Sequence, residues 1–431
     1  MRLGGRLAAA IEVLEDIERR HRPVADALKD WGLSHRFAGA GDRAAIGNIV
    51  YDALRRKRSA GWLLGAETPR ALGFGALLLD GLTPERLNTE LDGDRFAPPP
   101  LDDAERATIG KQRKAPMPEA VAADCPDWCV PLLRGAYGEG WVAEAKALAA
   151  RPPLDLRINT LKANRSKVLA ELEETGVAPA AIAPNGLRIP PIEGYGRHPN
   201  VQTEPAFRQG WFEVQDEGSQ IVAHLTGVVP GMEVLDFCAG AGGKTLAMAA
   251  EMENKGSIFA YDAEKQRLSP IFERLTRAGV TNVEVVSRLA ALEGRAESFD
   301  LVLVDAPCTG SGTWRRRPDA KWRLSDRQLD VRRGEQSAIL DRAAGFVKPG
   351  GRLVYITCSV FEEENADQIS AFLARTPGWM AEDHEALWSS RFPEARDKAY
   401  VSQTEGIRLS PGLTATDGFY FAALRRAGAG A

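Results

Sequence analysis

The sequence predicts an α/β protein: a mainly parallel sheet covered by helices on both faces, preceded by a helical region and a small α+β module. Three observations predict it. From Gln215 onward, apolar runs of strand length alternate with helical patterns, the rhythm of a parallel sheet. The N-terminal third instead places its apolar residues at helical spacing. Between the two lie a strand-like alternation and segments punctuated by Gly and Pro.

The chain has 431 residues, too many for one typical domain. Its pattern divides it into residues 1–145 (helical), 146–214 (α+β) and 215–427 (α/β). In the first part, Leu7, Ile11, Leu14 and Ile17 share one helix face. So do Ile46, Ile49, Val50, Ala53 and Leu54, with Asp42 placed as an N-cap and Arg55-Arg56-Lys57-Arg58 in the last turn. That cationic run reads as a solvated helix end or as a contact to phosphate. Residues 92–118 are rich in Pro, Asp and Lys and read as a loop. Helix resumes over 128–150 and is broken by Arg151-Pro152-Pro153. Residues 154–159 alternate like a half-buried strand, 166–175 read as a helix, and strand material continues to about Pro205.

In the third part the strand candidates are 233–237, 257–261, 283–286, 299–304 and 352–357. A last strand over 416–424 has no helix after it and is a candidate for antiparallel pairing. Residues 427–431 read as a frayed tail.

A formal net charge of -4 excludes a chain that binds nucleic acid by overall basicity and leaves room for a local patch. Five cysteines, Cys125, Cys129, Cys238, Cys308 and Cys358, are too sparse and odd in number for a disulfide framework. Cys125 and Cys129 have neither a second pair nor a nearby histidine, so no zinc site is expected. The first residues form a charged amphipathic stretch, not a secretory h-region, and the most apolar segment, 71–82, is too short for a bilayer. The expectation is a cytoplasmic protein with no membrane span and no metal.

The loop Asp236-Phe237-Cys238-Ala239-Gly240-Ala241-Gly242-Gly243-Lys244-Thr245 joins a strand to a helix. Glycines let backbone amides approach a ligand, and the helix N-terminus favours a negative group. A phosphate-binding P-loop would need Gly where Cys238 stands, and a dinucleotide fingerprint would need Gly where Thr245 stands. S-adenosylmethionine (SAM) remains, since Asp262 ends the next strand where a carboxylate would hold ribose hydroxyls. The plain alternative is a tight turn that binds nothing.

Asp305-Ala306-Pro307-Cys308 and Thr357-Cys358-Ser359 each follow an apolar strand. Ligands bind beyond the carboxyl ends of such strands, so all three loops should meet at one sheet edge. Either cysteine alone reads equally well as a small buried hydrophobe. An unassisted thiol titrates at roughly 8.5, so an attacking one needs a favourable setting, and Lys244 is the nearest cation by topology. No histidine lies near these motifs, which argues against a Cys–His hydrolase. SAM, a thiolate and a carboxylate together suit methylation of carbon 5 of a pyrimidine. A thiolate adding to C6 makes C5 nucleophilic, and a carboxylate near N3 stabilises the charge that develops. The residues alone leave open which cysteine attacks.

Taken together, Gln215-Asp216-Glu217-Gly218-Ser219-Gln220, the 236–245 loop, Asp305-Ala306-Pro307-Cys308-Thr309-Gly310-Ser311-Gly312, Tyr355-Ile356-Thr357-Cys358-Ser359 and Thr416-Asp417-Gly418-Phe419-Tyr420 carry a resemblance. The chain resembles the Fmu/Sun/Nop family of RNA cytosine-5 methyltransferases, most closely its bacterial 16S rRNA members. Leu156-Arg157-Ile158-Asn159-Thr160 and the 42–56 stretch extend the resemblance over nearly the whole chain. It implies a Rossmann-like class I SAM-dependent methyltransferase domain, preceded by an all-helical NusB-like RNA-binding domain and a small α+β RNA-binding module. It assigns the nucleophile to Cys358, enzyme release to Cys308, base contact to Asp305, and places Lys244 in the same active site. It lays SAM on Cys238, Ala239, Gly240, Ala241, Gly242, Gly243 and Lys244, with Asp262, Arg267 and Asp305 completing the cofactor set. It implies 16S rRNA as partner before full subunit assembly, a monomer, and, as alternatives, the same chemistry on tRNA or an idle RNA-binding assembly factor. There are two departures from the family pattern: Ala241 stands where proline is usual, and Val285-Val286-Ser287-Arg288 closes the third strand where an Asp near the adenine is usual.

Trp314-Arg315-Arg316-Arg317-Pro318-Asp319-Ala320-Lys321-Trp322-Arg323 follows the first thiol loop. Arginines interleaved with tryptophans bind phosphate and stack on unpaired bases. Arg315, Arg316, Arg317, Lys321 and Arg323 are therefore candidates for RNA contact, against the plainer reading of a solvated loop.

Overall fold

A computed structural model describes residues 1–428; residues 429–431 of the expected frayed tail fall outside that description. The chain forms two compact units. The first comprises Met1–Pro152, Pro191–His198 and Trp314–Leu324, and the second comprises Pro153–Pro190, Pro199–Thr313 and the chain from Ser325 onward.

The first unit is helical. Helices Leu3–Arg20, Ala40–Arg55, Lys57–Leu64 and Pro69–Leu79 converge on a core that includes Leu7, Leu14, Ile46, Val50, Ala53, Leu63, Phe74 and Leu77. Two sequence expectations change here. Asp42 is not the N-cap: Gly39 occupies that position, and Asp42 lies in the first turn, where it accepts the Met1 amino group and Arg6 Nε, each at 3.0 Å. Nor is 55–58 a solvated end. The helix bends at Arg56 (φ -117°, ψ 36°) and a second helix starts at once. Arg55 is buried against Asp52 at 2.7 Å, Arg56 reaches Asp80 at 2.6 Å, and Arg58 reaches Asp127 at 2.8 Å. Within the expected 92–118 loop stands the helix Asp103–Gln112, opened by a capping box between Asp102 and Glu105. Only Ile109 of it is buried, so it has no apolar stripe to read.

The second unit opens with a four-stranded antiparallel sheet in the order β2-β3-β1-β4. Its strands are β1 (Leu154–Ile158), β2 (Ala178–Pro179), β3 (Gly186–Ile189) and β4 (Phe212–Val214), with the helix Arg165–Glu171 after β1. The alternation of β1 predicts one solvated face, yet Asp155 and Arg157 are as buried as Leu156 and Ile158. Leu156 and Ile158 enter the module's core. On the other face Asp155 accepts Arg188 at 2.6 and 2.9 Å and the Glu217 amide at 2.9 Å, and Arg157 Nε donates to Gln215 at 2.6 Å. The polar side is paired, not wet.

The main sheet holds β5 (Glu233–Asp236), β6 (Ser257–Tyr261), β7 (Val283–Val286), β8 (Phe299–Asp305), β9 (Val347–Thr357), β10 (Trp379–Ala381), β11 (Tyr400–Ser402), β12 (Gly406–Leu409) and β13 (Phe419–Arg426). Its order is β11-β12-β13-β9-β8-β5-β6-β7, with β10 pairing β13. The strands β7, β6, β5, β8 and β9 pair in parallel, and β13 pairs antiparallel to β9. All six strand candidates form. Alternate residues feed opposite faces: Val234, Leu301, Leu303, Val354 and Ile356 enter one core, while Leu235, Val302, Val304, Leu353 and Tyr355 enter the other. The carboxyl ends of β5, β6, β8 and β9 therefore share one edge. Among the described residues no helix is long and apolar enough to cross a membrane, and no cluster of His, Cys, Asp or Glu suits a metal.

Candidate active site

At that edge the loop after β5 turns into the helix Gly243–Glu251 through two left-handed glycines, Gly240 (φ 51°) and Gly242 (φ 81°). A Cβ on Gly242 would stand 2.5 Å from Ile271 Cγ1, so the turn closes only over glycine. The Ala239 amide donates to the Tyr261 carbonyl at 2.8 Å, and the Gly240 amide donates to Asp262 Oδ2 at 3.0 Å. Asp262 Oδ1 accepts the Glu264 amide at 2.9 Å, and Arg267 stands 3.5 Å from Oδ2. Of the predicted cofactor residues, the structure brings Gly240 and Arg267 to the Asp262 carboxylate within the 238–243 turn, while Lys244 and Asp305 pair with each other. A Cβ on Gly240 would meet nothing nearer than Arg267 at 3.6 Å, and one on Gly243 nothing nearer than Gln215 at 3.8 Å. Bare backbone beside a buried carboxylate forms a cradle suited to a ribose-bearing ligand such as SAM. Ser287 and Arg288 lie exposed beyond the end of β7.

Below the loop, Asp236 is buried and accepts the Thr245 hydroxyl at 2.7 Å. Burial pushes its carboxyl up to about 7, against the hydrogen bond from Thr245. Lys244, buried in the first helical turn, donates to Asp305 Oδ2 at 2.6 Å and stands 5.4 Å from the Phe419 ring centroid.

The two thiols are neighbours: Cys308 Sγ and Cys358 Sγ lie 3.4 Å apart. The hydrogen bond to Cys358, and then burial, hold the Cys308 thiol well above its ordinary range. Their loops are sewn together. Gly312 N–H donates to the Cys358 carbonyl at 2.9 Å, the Gly418 amide donates to the Gly312 carbonyl at 2.8 Å, and Val360 N–H donates to Ser311 Oγ at 2.9 Å. Gly312 and Gly418 cross so closely that a Cβ on Gly312 would stand 2.1 Å from the Gly418 carbonyl oxygen.

Beneath them Glu364 is fully buried. It accepts the Thr309 amide at 2.8 Å, the Thr309 hydroxyl at 2.5 Å and Gln336 Nε2 at 3.0 Å. Asn365 accepts the Thr357 hydroxyl at 2.5 Å and donates to the Ser359 carbonyl at 3.1 Å. Gln336, Glu364 and Asn365 escape a sequence reading, because Glu364 ends an acidic run that resembles any solvated turn.

The predicted RNA residues divide. Arg315 and Lys321 are buried, which corrects their reading as surface cations. Residues 314–324 belong to the helical unit and carry Trp314, which is 2% exposed. Lys321 Nζ donates to the Arg55 carbonyl at 3.1 Å, Arg55 Nε donates to the Arg315 carbonyl at 2.9 Å, and Trp322 Nε1 donates to the Leu54 carbonyl at 2.6 Å. Burial lowers Lys321 to about 8. Arg316 is half-buried, Arg317 is exposed, and Arg323, also exposed, pairs with Asp319 at 2.9 Å.

Residues 226–425 match the family "16S rRNA methyltransferase RsmB/F", and residues 125–191 match "Methyltr_RsmF/B-like, ferredoxin-like domain". The "Ribosomal RNA small subunit methyltransferase B" of Cronobacter sakazakii is 36% identical over 306 residues, covering 69% of this chain and 66% of that relative. The protein of the same name from Salmonella newport is 34% identical over 441 residues, covering 96% of this chain and 97% of its own. One solved structure aligns with a TM-score of 0.72 at 25% identity, covering 99% of this chain and 100% of the other. A methyltransferase homolog protein from Pyrococcus horikoshii aligns with a TM-score of 0.57 at 28% identity, covering 72% of this chain and 97% of its own.

Proposed function

We propose, from the premise that this chain belongs to the RsmB/F family of 16S rRNA methyltransferases, that it methylates carbon 5 of a cytosine in RNA through a covalent Cys358–C6 adduct. One observation carries the reading: two sulfurs 3.4 Å apart at the sheet edge that also bears the Lys244–Asp305 pair. A cytosine C5 is too poor a nucleophile to take a methyl group unaided. The 238–243 turn and Asp262 would hold SAM, which would supply that group.

The chain's own residues do the rest. Cys358 supplies the sulfur that attacks C6, with the Cys308 sulfur 3.4 Å away. Addition makes C5 enamine-like and able to accept the methyl group. Asp305, oriented by Lys244, contacts the base at N3 and passes a proton to it as the thiolate adds, neutralising the negative charge there, and takes the proton back as the adduct collapses. A base then takes the C5 proton, the C5–C6 double bond re-forms, and Cys358 leaves as thiolate. Cys308 assists that departure from 3.4 Å away.

The preferred substrate is 16S rRNA before the subunit is complete, because the target must be unstacked, at a cost of a few kcal/mol that is least in unfolded or looped RNA. This places the work in the cytoplasm, where such RNA is made available.

The test incubates the purified chain with methyl-labelled SAM and unmodified 16S rRNA or tRNA, then identifies labelled nucleosides. 5-Methylcytidine from 16S rRNA is the expected product, and label only from tRNA would move the substrate. The Cys358→Ala variant should bind SAM and transfer nothing; full turnover by it would sink the adduct mechanism. Absence of both SAM binding and label would favour an idle assembly factor.

A further inference from the structure

The helical unit carries an aromatic surface that the transfer chemistry does not use. On the helix Val24–Ser34, Trp31 stacks on His35 with ring centroids 4.3 Å apart and planes 10° apart. Phe37 meets His35 edge-on at 5.8 Å. Phe37 is 73% exposed and Phe96 63% exposed, a large cost in water unless something covers them. All four rings line one cavity of about 630 Å³.

The polar groups of this cavity sort by charge. Its carboxylates are engaged: Glu12 accepts the Trp31 indole N–H at 2.9 Å, and Asp94 accepts the Gly5 amide at 3.1 Å and the Phe96 amide at 3.1 Å. Its cations face outward. Arg2 and Arg95 are exposed on the rim, Arg95 lies over the Phe96 ring at 4.5 Å, and Arg36 is exposed between His35 and Phe37. What remains on offer is flat apolar ring surface bordered by guanidinium groups. A nucleotide matches both features, since its base stacks on an aromatic face and its phosphate meets a cation. An apolar helix would cover the rings but leave Arg2, Arg36 and Arg95 without counter-charge.

We propose that this cleft binds an unpaired nucleotide of single-stranded RNA, with the base stacked on Phe37, Phe96 and the Trp31–His35 pair and the phosphate held by Arg95. The inference deepens the reading of RNA as substrate and rests on it. It gives the helical unit a defined grip on unfolded RNA, apart from the buried Arg315 and Lys321.

The experiment measures binding of a fluorescent single-stranded RNA oligonucleotide, and of the same sequence as a duplex, to the full chain by anisotropy. Because Phe37 and Phe96 are exposed, the double variant Phe37→Ala/Phe96→Ala leaves the core intact, which circular dichroism verifies. It should bind the single strand at least fivefold more weakly, in line with roughly 1–3 kcal/mol per stacked base. Arg95→Ala should reduce the salt slope of binding by about 0.7. A 4-thiouridine in the oligonucleotide should cross-link to the 31–37 or 93–97 peptide. Unchanged affinity in the double variant, or cross-links confined to other peptides, would overturn the proposal. Wild-type protein that shows ring-dependent binding yet makes no 5-methylcytidine would fail the activity reading alone. Methyl transfer with ring-independent binding would fail this proposal alone.

Discussion

Asp236 and Lys244 show how differently two buried charges serve one site. Lys244 has a partner, Asp305 at 2.6 Å, whereas Asp236 has a hydroxyl and is pushed up to about 7 by burial. Two predictions belong at this scale. Replacing Lys244→Met leaves Asp305 without its orienting cation; turnover should fall about a hundredfold, the size typical for a lost electrostatic group, and by more than any loss in SAM affinity. Rapid-quench methyl transfer beside calorimetric SAM binding checks this. For Asp236 the raised value means that the native state keeps a proton the unfolded chain releases near 3.8. Stability from this residue is therefore full below about pH 4 and is lost as pH rises through about 7. Asp236→Asn should flatten that decline in urea midpoints measured from pH 5 to 8; an unchanged slope would count against it. The meeting of the two cysteines was legible because each follows an apolar run, and apolar runs reveal strands. Arg315 and Lys321 were misread for the complementary reason. A charge run states that cations are present but not where their aliphatic stems pack, and here the stems are buried.

At the scale of elements, the two thiol loops are positioned by backbone as much as by side chains. The crossing of Gly312 and Gly418 admits no Cβ, and Gly312 N–H fixes the Cys358 carbonyl. Gly312→Ala should lower stability by about 1–3 kcal/mol, as overpacking does, and should slow methyl transfer by pushing the sulfurs from their 3.4 Å approach. Thermal melts with turnover measured well below the midpoint test this, and normal values for both would show that the loops can yield. Strands β6, β8, β9 and β13 could be read from runs of five or more residues, and β5 and β7, four residues each, from their place in the alternation of strands with helical patterns. Strands β10 and β11 have three residues each, too short for a period to register, and β12, also of four, lies outside that alternation. The helix Asp103–Gln112 was missed although its capping box stands in the sequence, because prolines on both sides gave the stronger signal.

At the scale of the molecule, the helical unit is not a continuous stretch of chain. Trp314–Leu324 completes it, supplying the Lys321 ammonium to the Arg55 carbonyl and the Trp322 indole to the Leu54 carbonyl. A fragment of residues 1–152 lacks those donors and the apolar cover of Trp322. It should melt without a sharp transition and bind a hydrophobic dye, whereas the full chain should not; a cooperative melt of the fragment would show that the insertion is dispensable. A sequence reading that cuts domains at linkers had no means of seeing this, since residues 314–324 lie in the middle of the 215–427 stretch.

The same discontinuity has a meaning during synthesis. The first 152 residues leave the ribosome well before the segment that completes their packing, which ends at Leu324. Some 170 further residues must be translated first, which at ~5–20 residues per second takes roughly 10–30 s. For that interval the nascent helices present unsealed apolar surface, a natural client for a chaperone stationed at the ribosome exit.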